Sequence, residues 1–316
     1  VPVFRFRIQL LQDYLEREGN IMRFYTIEAE GKYLPVVSAD GGKTGYVLSD
    51  LGLKDKDIAE FVRNNAEEKV KKISEVIKTA DSSKAVDMQS AKICAPIMHP
   101  DQDIICLGIN YKDHAAESAK FDKDAFSDKI DYTIYFGKHV AYASASGDPI
   151  PLYEGLVEGL DYESELGVVI GTTCKAVSKE EAMSKVFGYT VINDVSARNL
   201  QTRHKQWLLG KGLDGFTPMG PCIVTPDELG DPEDLEISSL VNGELRQHSN
   251  TGLMIQTIPG AISELSAGMT LKAGTIIATG TPSGVGMGFT PPKFLNKGDR
   301  VICRIEGIGE IENYVE

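Results

Sequence analysis

The chain of 316 residues carries 33 Lys and Arg against 46 Asp and Glu, and its formal net charge is −13. This balance argues against a polyanion such as a nucleic acid as a partner, while 42% hydrophobic residues are ordinary for a globular protein with a large core. No apolar run approaches the roughly 20 residues of a membrane span, so we expect no membrane partner. The five cysteines form no CxxC pair and are typical of buried thiols in a reducing, cytoplasmic compartment.

The N-terminal part of the chain divides into three kinds of segment. Residues 1–21 lack the uninterrupted apolar stretch of a secretory signal, so we interpret them as an N-terminal extension with a short helix. A β-type stretch begins at Met22, and a charged helical pattern covers residues 55–80. The polar residues 81–92 are typical of a linker. We therefore expect a small N-terminal β-type domain with its linker at 22–94 and a large domain at 95–316.

The large domain is predicted to be rich in strands. Apolar β-type runs alternate with Gly- and Pro-rich turns, and Asn242-Gly243 predicts a hairpin. Helical patterns are few after residue 95, and they fall at 112–120, 179–186 and 257–268. Many strands with few helices predict an α+β, β-rich fold rather than a regular βαβ alternation.

Two glutamates precede an apolar run in the stretch DYESELGVVI, residues 161–170. On a strand, Glu163 and Glu165 share a face, where their charges repel each other unless a cation lies between them. A third acid, Asp194, ends the apolar strand VFGYTVIN. Oxygen ligands suit Mg²⁺ or Mn²⁺, so the three acids are predicted to form a metal site. For the Glu-x-Glu pair alone, an edge strand with an outward acidic face is the alternative.

Polar residues that follow Asp194 are candidates for anion binding. Ser196 is expected to cap a helix on which Arg198 and Gln201 lie three residues apart and so share a face. Beside a metal, these two side chains would form an anion site. The alternative is a solvated helix start.

A histidine and a glutamate follow the apolar strand DIICLGIN. On a helical turn, Glu117 lies close enough to His114 to orient its imidazole. Such a pair can transfer a proton or activate a water near neutral pH. A solvent-exposed surface pair is the alternative.

Five motifs in order resemble those of the fumarylacetoacetate hydrolase superfamily, and the resemblance covers about residues 95–316. The motifs are GINYKDHAAES, DYESELGVVIG, VINDVSARNLQ, GKGLDGFTPMGP and IIATGTPSGVG. The chain most resembles the shorter domain-containing, hydroxyheptadienedioate isomerase-like members. The resemblance implies a mixed β-roll catalytic domain, a homodimer, and a bound Mg²⁺ or Mn²⁺.

The resemblance also implies roles for individual residues. Glu163, Glu165 and Asp194 would bind the metal, and His114 with Glu117 would form the acid–base dyad on a segment that closes over the substrate. The remaining roles are catalytic oxyanion stabilisation by Lys211 and substrate binding by Arg198, Gln201, Thr281 and Lys138. His139 stands where the family usually has a Pro after that lysine.

The implied activity is that of an enzyme acting on small 2-oxo (β-dicarbonyl) acids through a metal-stabilised enolate. Keto–enol tautomerisation or isomerisation of a 2-oxo diacid is the favoured reaction. C–C bond hydrolysis of the acylpyruvase or fumarylpyruvate type, and oxaloacetate decarboxylation, are the alternatives within the family. A non-catalytic metabolite-binding protein with the same fold is the alternative of a different class.

Overall fold

The computed structural model describes residues 21–121 and 131–316, where the chain forms an α+β, strand-rich fold, as the sequence predicts. The expected N-terminal extension lies outside the described residues, except for residue 21. The helices are α1 (Ile58–Arg63), α2 (Ala66–Val76), α3 (Lys112–Phe121), α4 (Lys179–Ala182), α5 (Arg198–Arg203), α6 (Leu208–Lys211), α7 (Pro226–Leu229) and α8 (Ile258–Gly268). Within the described ranges, no helix is both long and apolar enough to cross a membrane.

The strands lie between these helices along the chain, mostly in consecutive runs. They are β1 (Arg23–Ala29), β2 (Lys32–Ser38), β3 (Thr44–Val47), β4 (Val86–Asp87), β5 (Lys92–Cys94), β6 (Ile104–Gly108), β7 (Ile134–Lys138), β8 (Pro149–Ile150), β9 (Leu160–Asp161), β10 (Ser164–Ile170), β11 (Val186–Asn193), β12 (Ser196–Ala197), β13 (Met219–Val224), β14 (Glu236–Val241), β15 (Glu244–Asn250), β16 (Ile276–Ala278), β17 (Arg300–Ile305) and β18 (Gly309–Val315). The predicted hairpin at Asn242-Gly243 is confirmed, since it joins β14 to β15 with both residues at positive φ.

A large mixed sheet forms the centre of the fold. Its strand order is β4-β3-β2-β1-β13-β11-β10-β16-β6-β7, and β5 pairs with β1. Strands β6 and β16 are parallel, whereas β10 is antiparallel to both β16 and β11. A second sheet has the order β15-β14-β17-β18-β8, and β9 pairs with β12 separately.

Strand β10 is buried along its whole length because both faces of the large sheet are covered. Its residues Leu166 and Val168 belong to the hydrophobic core that includes β14 and β17 of the second sheet. Val169 belongs to a second core, which contains α1 and the aromatic pair Phe24 and Phe61, whose ring centroids are 5.0 Å apart. The start of β10, where the acidic motif lies, is therefore fixed from both sides.

The N-terminal strands are hydrogen-bonded into the same sheet as the large domain. Strand β1 pairs with β13, with Phe24 opposite Ile223, and it also pairs with β5. The segment 81–92, which we interpret as a linker, contains β4 and the first residue of β5. The division near residue 95 stays a prediction about domain organisation, and sheet pairing crosses it.

Candidate active site

Four strands of the large sheet place the site at one edge. Strands β6 and β16 run parallel, so they end at the same edge, and β10 begins there because it is antiparallel to β16. Strand β11, antiparallel to β10, ends there as well. The acidic motif, the residue after β11 and the segments after β6 and β16 thus meet.

A buried asparagine ties two of these strand ends together. The Asn110 amide donates to the Thr279 carbonyl at 2.8 Å and to the Gln256 carbonyl at 3.0 Å. Its side-chain oxygen accepts the Gln256 N–H at 2.7 Å. Ile109, with a φ of 54°, turns the chain from β6 towards α3. The loop after β6 is therefore held against the loop after β16.

The three acids that we predict from spacing lie together. One carboxylate oxygen from each of Glu163, Glu165 and Asp194 lies within 4.8 Å of the others, and all three residues are buried. The register of β10 and β11 causes this, because Ser164 lies opposite Asn193. Beyond that pair, Asp194 N–H donates to the Glu163 carbonyl at 2.9 Å.

Three buried cations contact two of these acids. Lys211 Nζ lies 2.7 Å from both Glu163 Oε2 and Asp194 Oδ2. Arg198 Nη1 lies 2.7 Å from Glu163 Oε1, and Lys138 Nζ lies 2.7 Å from Asp194 Oδ1. Burial raises the pKa of Glu163, but Lys211 and Arg198 outweigh it and lower the pKa to about 2.

Glu165 is the acid whose charge is least compensated. Its Oε2 accepts the Gly280 N–H at 2.9 Å, and it has no ion-pair partner in the described part of the chain. Burial, followed by the charges of Asp194 and Glu163, raises its pKa well above the usual value. A divalent cation fits this arrangement, because it would offset the third negative charge and prefers oxygen ligands.

The histidine and glutamate of the GINYKDHAAES motif form a pair on α3. His114 Nδ1 lies 3.2 Å from Glu117 Oε2, and Nε2 lies 3.5 Å from Ser118 Oγ. Glu117 in turn accepts the Gly284 N–H at 3.0 Å, which fixes the carboxylate against the loop after β16. His114 is 4% exposed, so the pair is not the surface pair that was the alternative.

Asp161 also belongs to the site, although the sequence analysis does not predict a role for it. Its Oδ2 accepts Arg198 Nε at 2.9 Å and Met287 N–H at 3.0 Å. Its Oδ1 accepts Gly286 N–H at 2.6 Å and Tyr162 N–H at 2.9 Å. The signal was present, since an acid stands two residues before Glu163, but three of its four hydrogen-bond partners are more than 30 residues away along the chain.

The helix after Asp194 begins later than expected. Ser196 lies in β12 and its hydroxyl donates to the Asp194 carbonyl at 2.9 Å, so the predicted Ser196 cap is wrong. Helix α5 begins at Arg198, and its N-cap Ala197 makes no side-chain hydrogen bond. The pairing of β12 with β9 replaces the cap. Arg198 Nη1 still contacts Gln201 Oε1 at 2.9 Å, as their shared face predicts.

These groups surround a narrow cleft. It is lined by Leu107, Gly108, Ile109, His114, Phe136, Glu163, Glu165, Arg198, Gln201, Trp207, Lys211, Thr281 and Met287.

Lys138 is fully buried behind the lining, where it contacts Asp194. The Thr281 hydroxyl donates to the Ser164 carbonyl at 2.9 Å and accepts Gln247 Nε2 at 2.7 Å. Sequence reasoning found no signal for Phe136 or Trp207, because no motif contains them.

In this strand-rich fold, buried carboxylates, a buried lysine and a His–Glu pair lie in one cleft, an arrangement that is typical of an enzyme site and that suits a divalent cation. The family model described as Fumarylacetoacetate (FAA) hydrolase C-terminal matches residues 103–316. The chain therefore belongs to the fumarylacetoacetate hydrolase family of enzymes.

Known relatives cover most of the chain. Oxaloacetate tautomerase YisK of Bacillus subtilis is 47% identical over 228 residues, which are 72% of this chain and 74% of the relative. The structure of a fumarylacetoacetate hydrolase from Exiguobacterium antarcticum has a TM-score of 0.79 at 36% identity and covers 93% of this chain and 99% of its own. That of maleylpyruvate hydrolase from Sphingobium sp. SYK-6, in complex with manganese(II) and pyruvate, has a TM-score of 0.73 at 28% identity, covering 93% and 98%.

Proposed function

We propose that this protein is a divalent-metal-dependent enzyme that acts on small 2-oxo acids, with keto–enol tautomerisation of a 2-oxo diacid as the favoured reaction. The observation that carries the proposal is the cleft itself, where three buried carboxylates lie beside buried cations and a His–Glu pair. The similarity to an oxaloacetate tautomerase supports the choice of reaction and suggests oxaloacetate as the first substrate to try.

Glu163, Glu165 and Asp194 would hold the metal, which we propose to be Mg²⁺ or Mn²⁺. The manganese in the maleylpyruvate hydrolase complex supports a divalent ion in this family. When bound, such an ion supplies positive charge to the oxygens of a 2-oxo acid as it becomes an enolate.

Arg198 and Lys211 are placed to bind and stabilise the negative charge of the substrate. Arg198 Nη2 is buried and has no hydrogen-bond partner among the described residues, so it is available to a substrate carboxylate. Lys211, 2% exposed, would place its ammonium beside an oxyanion in a water-poor cleft. Gln201 supports Arg198 and would donate its amide N–H to the same substrate.

Thr281 and Lys138 receive more indirect roles than the resemblance implies. The Thr281 hydroxyl proton is used by the Ser164 carbonyl, so a substrate carboxylate would have to replace that acceptor. Lys138 donates to the carbonyls of Val195 and Lys211 and contacts Asp194. We propose that Lys138 positions Asp194 and the Lys211 segment rather than contacting the substrate.

His114 is the proposed proton carrier. In ketonisation of an enol, the enol O–H loses its proton and C3 gains one, so no other reactant is consumed. An imidazole held by Glu117 at Nδ1 can accept the first proton and deliver one to carbon. The contacts of Glu117 with the Gly284 loop keep this orientation fixed.

The experiment is a panel of 2-oxo acids, with oxaloacetate, acylpyruvates and fumarylpyruvate, assayed with Mg²⁺ by loss of enol absorbance and by product mass. The expected result is Mg²⁺-dependent enol loss without a change in mass, which is abolished in Glu163→Gln and kept in the exposed control Glu67→Gln. Metal-independent activity, or full activity of Glu163→Gln, would contradict the proposal.

The hydrolase alternative is favoured by one observation, the similarity to a maleylpyruvate hydrolase. Release of pyruvate from an acylpyruvate or fumarylpyruvate would establish it, and release of carbon dioxide from oxaloacetate would establish a decarboxylase. Saturable binding of 2-oxo acids without turnover of any of them would establish the non-catalytic binding protein.

We further propose that the protein acts as a homodimer in the cytoplasm. The family resemblance supports the dimer, and five free, buried cysteines support a reducing compartment. Light scattering after size-exclusion chromatography tests the first point, with a mass twice that of the chain expected. Fractionation of cells that express the protein tests the second.

A further inference from the structure

One wall of the cleft is apolar. Phe136 and Trp207 are its large members, and Gly108, Ile109 and Met287 complete it. None of these side chains can form an ion pair with a substrate. The same lining carries Glu163, Arg198 and Lys211, so a ligand bound to these groups has the rest of its chain close to the aromatic side chains.

Trp207 is held in place by close packing. Its ring packs edge-on against Phe136, with centroids 4.9 Å apart and planes 67° apart. The ring also packs against the backbone at the end of β6, where any side chain at Gly108 would overlap the indole ring. Phe136 also lies under Lys211, whose Nζ is 5.4 Å from the ring centroid. The wall is therefore rigid on the side that faces the proposed catalytic lysine.

We propose that Trp207, supported by Phe136 and Gly108, sets the upper limit on the chain length of the 2-oxo acid that the cleft accepts. The inference rests on the proposed function, because it takes the 2-oxo end of the substrate to lie at the three acids. It adds a residue that determines specificity and a substrate class, namely short-chain 2-oxo diacids.

The packing and chemistry of the cleft point to this role. The cleft is narrow, and Trp207 at its apolar lining is held against Phe136 and Gly108. A longer diacid would place its second carboxylate against the apolar wall, where a charge loses its hydration without gaining a partner. A short diacid keeps both carboxylates near Arg198 and Lys211.

Trp207 has a second structural role that must be separated from the first. Its carbonyl accepts the Lys211 N–H at 3.0 Å, so it begins the helical turn that places Lys211. If Trp207 only positions Lys211, its replacement lowers the binding and turnover of every substrate by the same factor. If it limits chain length, the loss depends on the length of the substrate.

The test measures the affinity of the purified full chain, with Mg²⁺, for oxalate, 2-oxoglutarate and 2-oxoadipate by calorimetry, and turnover where it occurs. Trp207→Ala is expected to raise the affinity for 2-oxoadipate relative to oxalate by about ten-fold or more, the usual effect of opening an apolar pocket. Trp207→Phe should give an intermediate ratio. Leu208→Ala, at a neighbouring position that is 53% exposed, is the control and should keep the wild-type ratio.

A spectroscopic measurement tests the location without any turnover. Trp207 is the single tryptophan of the chain, so the intrinsic tryptophan emission reports on this wall alone. Addition of oxalate with Mg²⁺ should change the emission saturably, with the dissociation constant found by calorimetry. Binding by calorimetry without a change in emission would overturn the placement of Trp207 at the ligand.

The outcomes separate this inference from the proposed function. Absence of turnover of any 2-oxo acid defeats the proposed reaction, while the emission and the affinity ratio still test the wall. An affinity ratio in Trp207→Ala equal to that of the wild type overturns the length limit, even if turnover falls. A ratio that changes with chain length supports it.

Discussion

The buried carboxylate of Asp161 provides a direct test of how the cleft is held together. Its two oxygens accept four hydrogen bonds, from the N–H groups of Tyr162, Gly286 and Met287 and from Arg198 Nε. Asp161→Asn replaces one oxygen by an NH₂ group of nearly the same size, so two of the four donors then face another donor. A buried unsatisfied donor costs about 1–3 kcal/mol, so the free energy of unfolding should fall by about 2–6 kcal/mol.

The assay is urea unfolding of wild type and variant, with Asp40→Asn as the matched control. The Asp40 carboxylate also accepts backbone N–H groups, from Lys43 and Thr44, but it lies in an exposed turn where water replaces a lost acceptor. The control should therefore lose only about 1 kcal/mol or less.

A second readout follows from the contact between Asp161 and Arg198. Because Asp161 does not belong to the acidic triad, Asp161→Asn should weaken binding of oxalate more than binding of Mg²⁺ in calorimetry. An unfolding free energy within about 1 kcal/mol of wild type, together with unchanged oxalate affinity, would refute this reasoning.

Three further predictions concern the dyad and the triad. In Gly288→Ala the new methyl group would overlap the Glu117 carboxylate, so turnover should fall while Mg²⁺ affinity is kept; unchanged turnover would show that the Glu117 position is unimportant. His114→Gln should lower the rate of tautomerisation by about 10²- to 10⁴-fold with oxalate affinity kept, and an equal loss of affinity would argue against proton transfer. Glu165→Gln should weaken Mg²⁺ binding by about ten-fold or more and remove the thermal stabilisation by Mg²⁺, whereas an unchanged shift would exclude Glu165 as a ligand.

The acidic cluster could be predicted because its geometry is largely local. Two glutamates two residues apart at the start of a strand, and an acid at the end of the next strand in the hairpin-like pair β10 and β11, come together once the register is set. The same holds for His114 and Glu117, which are one helical turn apart. Short-range periodicity is sufficient for such contacts.

The remaining features depend on contacts that no local pattern specifies. Asp161 meets Met287 across 126 residues of sequence, and this contact depends on the return of the chain after β16. The Ser196 cap failed because a strand pairing between β9 and β12 took precedence over a local capping preference. Trp207 lies in a segment without a motif, and only the packing against Gly108 and Phe136 shows its place.

The central claim is that Glu163, Glu165 and Asp194 hold a divalent metal that supports enolisation of a 2-oxo acid. Stopped-flow measurement of the decay of enol-oxaloacetate absorbance, with wild-type protein in Mg²⁺ and then in EDTA, tests it most directly. We predict acceleration in Mg²⁺ that EDTA abolishes and that restored Mg²⁺ recovers, with no acceleration by Glu163→Gln. Equal acceleration in Mg²⁺ and EDTA, or by Glu163→Gln, would contradict it.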